Sequence, residues 1–396
     1  MKENSKRLYF IDAMRAWAIL MMLQGHFIDG LLDTTFRDPS NLWFTTWKYF
    51  RGITAPVFFT VSGFIFTYLL LNAPVQGSDN PRLRKGLKRG LQLIGIGYLL
   101  RIDVFGLFKG VIYPNFYLVD VLHCIGVALL VLIGIYTAVH RAKSSHLSIT
   151  FLVFGVLLFL FEPLYKIWDF SFMPQALANY FTKENGSVFT IIPWVGYAIM
   201  GGSIATVFYK NRDAKNLYLK SIGLFLLGGV SLVWLSSPLF AWFGEQTGIS
   251  LFAQIATNNY LFIRLGDVFF VFAVFILLRG LMKRKFFLSI GQHTLSIYVI
   301  HFIILYGSFT GVGLYRYWYH QLSPAAAISG AILFMGLCTW AALVYNRRKA
   351  DIFSTLSKAP GQLIAQVSPL IMRAVRIGRL NWLRLTRYLS AAQERS

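Results

Sequence analysis

Charge is scarce in this chain, and acidic charge is scarcest. Of 396 residues only 14% are Asp, Glu, Lys or Arg, and 16 acids face 38 bases. A soluble surface needs roughly a quarter charged residues, so an ordinary cytosolic enzyme is excluded. Cysteine is nearly absent. Cys124 and Cys338 each lie within an apolar run, which excludes a disulfide framework. There is no Walker A sequence, no G-x-S-x-G elbow, no H-E-x-x-H and no Cys/His set at metal spacing. Those absences remove the commonest nucleotide, hydrolase and metal chemistries, and no metal is expected. The chain also lacks an internal repeat and a Pro/Ser-rich linker.

What is abundant is apolar surface: 56% of residues are hydrophobic and 17% aromatic. Runs of about 20 apolar residues, enough to cross a bilayer core, recur along the chain. Ten spans are expected, near 10–31, 53–72, 87–105, 115–136, 147–162, 188–209, 218–242, 260–281, 286–306 and 324–345. Backbone groups in hydrocarbon must pair within the segment, and these runs suit helices. The expected fold is therefore all-α, a polytopic transmembrane helical bundle.

The net charge of +22 distributes by side. The N-terminus and connections 79–89, 141–143, 210–220 and 279–285 are basic, whereas 32–51, 102–116, 162–187, 243–259 and 307–323 are mixed. Basic connections face the cytoplasm, which places both termini there. The excess positive charge is thus a topology signal, and no nucleic-acid partner is expected. The first run is interrupted by Asp12 and Arg15 and lacks a small-x-small cleavage site, so it reads as an uncleaved span. Two domains are expected, a membrane domain at 1–346 and a tail at 347–396. In the tail Arg373, Arg376, Arg379, Arg384 and Arg387 interleave with apolar residues. That pattern suits a basic amphipathic helix on the anionic inner leaflet, with membrane lipid as its partner.

Ionisable residues inside spans are costly and mark function by default. The first span carries Asp12, Arg15, His26 and Asp29 on one helical face. Asp12 and His26 stand fourteen residues apart, about 21 Å along a helix. One face therefore has a polar pair near each end. The fourth span holds Asp120 and His123, the eighth Arg264 and Asp267, and the ninth reaches His301. The topology puts His26, Asp29, Asp120, His123, Arg264, Asp267 and His301 in the outer half, where they suggest a common polar cavity. Arg51, just before the second span, Ser62 within it and Arg101 at the end of the third are further candidates.

Each group has a plainer reading. Arg264 and Asp267 neutralise one another as an i, i+3 pair, and Asp12 with Arg15 forms a similar lock. Asp120 and His123 cap a helix start, His301 bonds across helices, and Ser62-Gly63 allows close helix approach. His26 stands apart. It lies deep in an apolar helix one turn from a carboxylate, which suits a general base.

These residues also carry a likeness. Asp12-x-x-Arg15 and His26, followed by Ala55-Pro56-Val57-Phe58-Phe59 and Ser62-Gly63-Phe64, resemble the integral-membrane acyltransferases. The branch is the one related to heparan-alpha-glucosaminide N-acetyltransferase, with kinship to the acyltransferase 3 group. Segments 89–98, 120–126, 193–197 and 291–301 extend the resemblance over about residues 7–305. It implies transfer of an acyl group, usually acetyl from cytoplasmic acetyl-CoA, to a carbohydrate hydroxyl or amine on the other side. It also implies that His26 is the base and that the region of Arg15 handles the donor. The heparan enzymes carry a histidine in the first lumenal loop, but residues 32–51 contain none, which moves the expected base to His26.

Acyl-CoA is a polyanion that cannot cross hydrocarbon. Asp12, Arg15, Arg82, Arg84 and Lys88 are the expected donor-binding residues at the inner face, with Asp29, Asp120 and His123 supporting the catalytic base. The location implied is integral and multi-pass, in a bacterial inner membrane. A secondary transporter or flippase running an Asp/His/Arg relay through the same residues is the alternative.

Overall fold

The computed structural model describes residues 8–140, 144–349 and 351. Among these residues the chain is helical with no strand, apart from an isolated bridge between Leu32 and Leu322. Two compact units divide the chain, Met1–Ala342 and Leu343–Ser396. The described part of the second unit is helical, and the tail helix expected there lies outside the described residues.

The helices run in the order α1 (Tyr9–Leu31), α2 (Leu42–Leu71), α3 (Pro81–Leu100), α4 (Val104–Phe108), α5 (Val121–Val139) and α6 (Ser144–Leu160). Then come α7 (Glu162–Tyr165), α8 (Gln175–Ala178), α9 (Ile191–Lys210), α10 (Leu217–Val230), α11 (Ser236–Thr247) and α12 (Ser250–Thr257). The last are α13 (Tyr260–Leu277), α14 (Lys285–Gln292), α15 (Thr294–Tyr306), α16 (Leu314–Trp318) and α17 (Pro324–Lys349).

A helix stands at each of the ten expected positions. By length and composition six segments can cross a membrane: Leu42–Leu71, Pro114–Val139, Ile191–Lys210, Leu217–Thr247, Tyr260–Lys283 and Pro324–Lys349. The pair α14 and α15, bent by 68°, makes a seventh if it is one span. The break falls at His293, which ends one helix and opens the next. Ionisable residues dilute α1 and α3, and α6 is shorter.

Local chemistry sets the helix limits. The Asn41 side chain accepts from the Trp43 and Phe44 amides at 3.0 and 3.1 Å, so α2 starts at Leu42, well before residue 53. Its first turns are polar enough to escape a hydropathy window, and Arg51 consequently lies within the helix rather than before it. Asn80 caps α3 ahead of Pro81, and Arg101 closes that helix at its C-cap, short of the expected residue 105. Short helices α4, α7, α8, α12 and α16 occupy stretches expected to be plain connections.

Lipid tails are as apolar as leucine, so helices in a bilayer associate through close packing rather than hydrophobic burial. Two crossings show this. A Cβ on Gly63 would run into the Ala198 backbone, and one on Gly201 into the Thr60 backbone, so α2 and α9 lie in direct contact. A Cβ on Gly291 would strike the Asp12 backbone, which seats α14 against the N-terminal end of α1. Ser62 itself bonds back to the Phe58 carbonyl at 2.7 Å. Around that end of α1, Phe10, Ile11, Met14, Phe64, Phe208 and Phe272 form one fully packed apolar cluster.

Candidate active site

The other end of α1 opens into a cavity of about 900 Å³. Helix α1 contributes His26 and Asp29, α2 contributes Arg51, and the caps of α3 and α5 contribute Arg101 and Asp120. Tyr298, Phe302 and Tyr306 of α15, Tyr315 of α16 and Trp194 of α9 complete much of the wall. The lining is therefore aromatic surface punctuated by a few paired charges, the usual composition of a small-molecule site.

His26 is the centre of the polar part. Its Nδ1 lies 3.0 Å from the Tyr306 hydroxyl, and its ring centroid is 5.4 Å from that of His301. His301 is fully buried and donates from Nδ1 to the Tyr298 carbonyl. That bond leaves the lone pair on Nε2, which has no hydrogen-bond partner among the described residues. The carboxylate expected to hold His26 is engaged elsewhere. Asp29 accepts from Arg51 at 2.6 Å and faces Arg37 at 3.8 Å. Arg37 also donates to the Asp29 and Leu32 carbonyls, closing the end of α1.

Asp120 serves three partners at once. It pairs with Arg101 at 3.3 Å, accepts from the Leu122 amide at 3.0 Å, and lies 3.1 Å from His123 Nδ1. Together with the bond between the Asp120 amide and His123 this makes a capping box that starts α5. His123 is turned away from the cavity, against Tyr98 and the Gly97 backbone. Arg101 reaches over the Phe302 ring, 5.8 Å from its centroid.

Of the seven ionisable groups expected to share one cavity, His26, Asp29 and Asp120 line it. His123 is behind the wall, and His301 sits behind His26. Arg264 and Asp267 pair at 2.9 Å, Asp267 accepts from Tyr49 at 2.6 Å, and Arg264 stacks over the Tyr49 ring, so both are consumed in a separate cluster. Ser62 is also outside the lining. None of Asp12, Arg15, Arg82, Arg84 and Lys88 reaches the cavity. Arg15 instead donates to the Thr294 hydroxyl at 3.0 Å, Asp12 is buried, and Arg84 and Lys88 of α3 are exposed.

Sequence reasoning passed over the aromatic wall, and Tyr306 above all. With 20 tyrosines and 36 phenylalanines in the chain, no spacing distinguishes the few that face a cavity. Trp194 carries a buried Nε1 with no hydrogen-bond partner among the described residues. Tyr315, on α16 outside the long helices, has its hydroxyl pushed up to about 12 by burial and by neighbouring Tyr319, and so stays protonated. No group of three or more His, Cys, Asp or Glu side chains among the described residues forms a metal site.

The family model described as heparan-alpha-glucosaminide N-acetyltransferase, catalytic, matches residues 7–244. The match ends short of residue 305, so His301 and Tyr306 fall beyond it while His26, Asp29, Arg51, Arg101 and Asp120 fall within it. No curated protein matches the chain. A match over more than half of the length, on a chain with several membrane-length apolar helices, shows that this multi-pass membrane protein belongs to the heparan-alpha-glucosaminide N-acetyltransferase catalytic family, a family of acyltransferases.

Proposed function

We propose that the protein transfers an acyl group, in the first instance acetyl, from cytoplasmic acyl-CoA to a hydroxyl or amine of a carbohydrate-like acceptor on the opposite side of the membrane. The observation that carries this reading is His26. It is a histidine in the wall of a large aromatic cavity, on the first helix of a chain from an acyltransferase family.

In the proposed reaction the acceptor enters the cavity and places its hydroxyl or amine at His26. The imidazole takes the proton as the acceptor heteroatom attacks the thioester carbonyl. The new acyl bond forms, the carbon–sulfur bond breaks, and the proton passes on to the departing CoA thiolate. Arg101 and Arg51, each anchored by a carboxylate on the wall, supply positive charge where the carbonyl oxygen becomes negative. Asp120 and His123 hold Arg101 and the start of α5 in place.

The donor arrives at the opposite end of α1. The topology expected from the basic connections, ten crossings with both termini inside, would put Arg15, Arg82, Arg84 and Lys88 on that side, where positive charge attracts the CoA phosphates. The cavity stops at Met21 and Met22. The pantetheine arm must therefore pass the stretch between Arg15 and Met22 for the acyl carbon to meet His26. Family membership favours this enzyme reading over a transporter or flippase.

Proteoliposomes with radiolabelled acetyl-CoA on one face and an amino sugar on the other test the proposal. Label should reach the sugar only when the donor is on the face bearing the basic connections. Protein that leaves the thioester intact with hydroxyl and amine sugars alike would overturn it.

A further inference from the structure

We propose that Tyr306 is the positioning residue of the site: its hydroxyl oxygen accepts from His26 Nδ1–H and so leaves Nε2 as the basic nitrogen facing the acceptor. The proposal rests on the reading of His26 as base and names the group that makes that nitrogen available.

The geometry narrows the partner of His26 to this hydroxyl. A general base needs one ring nitrogen free and the other held by a hydrogen bond that fixes tautomer and ring plane. The carboxylate nearest in sequence, Asp29, is turned to Arg51 and Arg37. Asp120 is committed to Arg101, His123 and the α5 amides. Among the described residues the His26 ring hydrogen-bonds to the Tyr306 hydroxyl, 3.0 Å from Nδ1. If Tyr306 donated instead, the proton would sit on Nε2, and the ring would present a donor to the acceptor's O–H.

Tyr306 is well placed to hold a ring still. It is the last residue of α15, which stops at Gly307 in the left-handed conformation, with the Gly307 amide bonded to the Ile303 carbonyl. Its ring packs against Phe302 at 5.0 Å and against Tyr315 at 5.4 Å. Tyr315 in turn lies against Gly30 of α1, so the helix bearing His26 and the residue holding it are tied from both sides. His301, five residues earlier on α15, packs its ring against His26, the ring centroids 5.4 Å apart.

A neutral phenol is a weaker acceptor than a carboxylate. It steadies the imidazolium formed when Nε2 takes the acceptor proton, without making it a permanent cation. The charged and titratable groups that bear on His26 are Asp29 from α1, Arg51 from α2, Asp120 from the start of α5, and His301 and Tyr306 from α15. All but Tyr306 are unchanged by the substitution that follows.

Tyr306→Phe keeps the ring and removes only the oxygen. Relative to wild type, kcat should fall about ten- to a hundredfold, the range for one hydrogen bond to a charged partner, with the acyl-CoA KM unchanged. Losing an acceptor for Nδ1–H destabilises imidazolium, so the acid limb of the pH–rate profile should move to lower pH. A second readout does not depend on turnover. The pH dependence of His26 carbethoxylation by diethyl pyrocarbonate, read by mass spectrometry, should show the same downward movement; fully buried His301 serves as the unreactive control. Wild-type kcat and an unmoved carbethoxylation profile in the variant would overturn the proposal, as would a profile moved to higher pH. Absence of acyl transfer by the wild-type protein, with the carbethoxylation shift still seen, would overturn the function reading and leave the His26–Tyr306 bond supported.

Discussion

The two ends of α1 carry similar equipment in different surroundings. Each has an ionisable pair, Asp12 with Arg15 and His26 with Asp29, on one face of the same helix. At the N-terminal end Asp12 is buried and Arg15 half-buried: α14 presses on Asp12 through Gly291, and Arg15 bonds to Thr294 at the start of α15. At the C-terminal end the same face borders a cavity of about 900 Å³. A polar stripe on a membrane helix therefore does two jobs. Close packing braces Asp12 at one end, beside the Arg15 charge proposed to meet the donor, and open volume makes the other end available for the acceptor.

Four substitutions separate the behaviour of the two ends. The largest effect belongs to the open end. Ala55→Trp puts bulk into the cavity, and displacing an acceptor by an ångström or more should cost roughly a hundredfold in turnover with the melting temperature kept. A variant that loses stability instead would mean that the cavity is part of the packed frame. The packed end should answer in stability. Gly291→Val drives a side chain into the Asp12 backbone and should cost about 1–3 kcal/mol, read as a lower melting temperature in detergent, while the folded fraction turns over normally.

Arg15→Gln comes next. It removes the positive charge proposed to meet the CoA phosphates, so the donor KM should rise about tenfold, the loss of one charge-assisted contact, with kcat held. A lowered kcat and unchanged KM would move Arg15 from donor binding to chemistry. The smallest effect lies just beyond the open end. Two hydrogen bonds from Thr35, both 2.8 Å, hold the exposed Asp33 carboxyl below the usual carboxylate range. A lowered folded-state value adds stability above the ordinary value and loses it as pH falls through the folded one. Asp33→Asn should therefore flatten the acid-side fall in melting temperature below about pH 4 and leave turnover at neutral pH unchanged.

Much of the fold was legible because bilayer physics writes it into composition. Runs of apolar residues marked a helix at every expected position, and the Gly63 approach was visible as a small residue in a span. What hydropathy could not show was the polar start of α2, set by the Asn41 cap, or the break at His293 between two apolar runs. The site was legible in part. Helical spacing grouped His26 with Asp29 and singled out Asp120, Arg101 stood out as a charge at the end of a span, and all four line the cavity. The partners within the site were not legible. Asp29 stands one turn from His26 in sequence, yet it meets Arg51 across the α1–α2 contact. The hydroxyl at His26 comes from a residue 280 positions away. Contacts at such separation depend on how helices cross, which periodicity along one helix does not contain.

In the proposed reaction His26, on the open end of α1, takes the proton of the acyl acceptor. The most direct measurement is acyl transfer from labelled acetyl-CoA by purified wild type and His26→Ala, at matched melting temperature. Loss of about 10²–10⁴-fold in turnover, with donor binding intact, is the predicted result. Turnover at the wild-type rate in His26→Ala would mean that another group takes that proton.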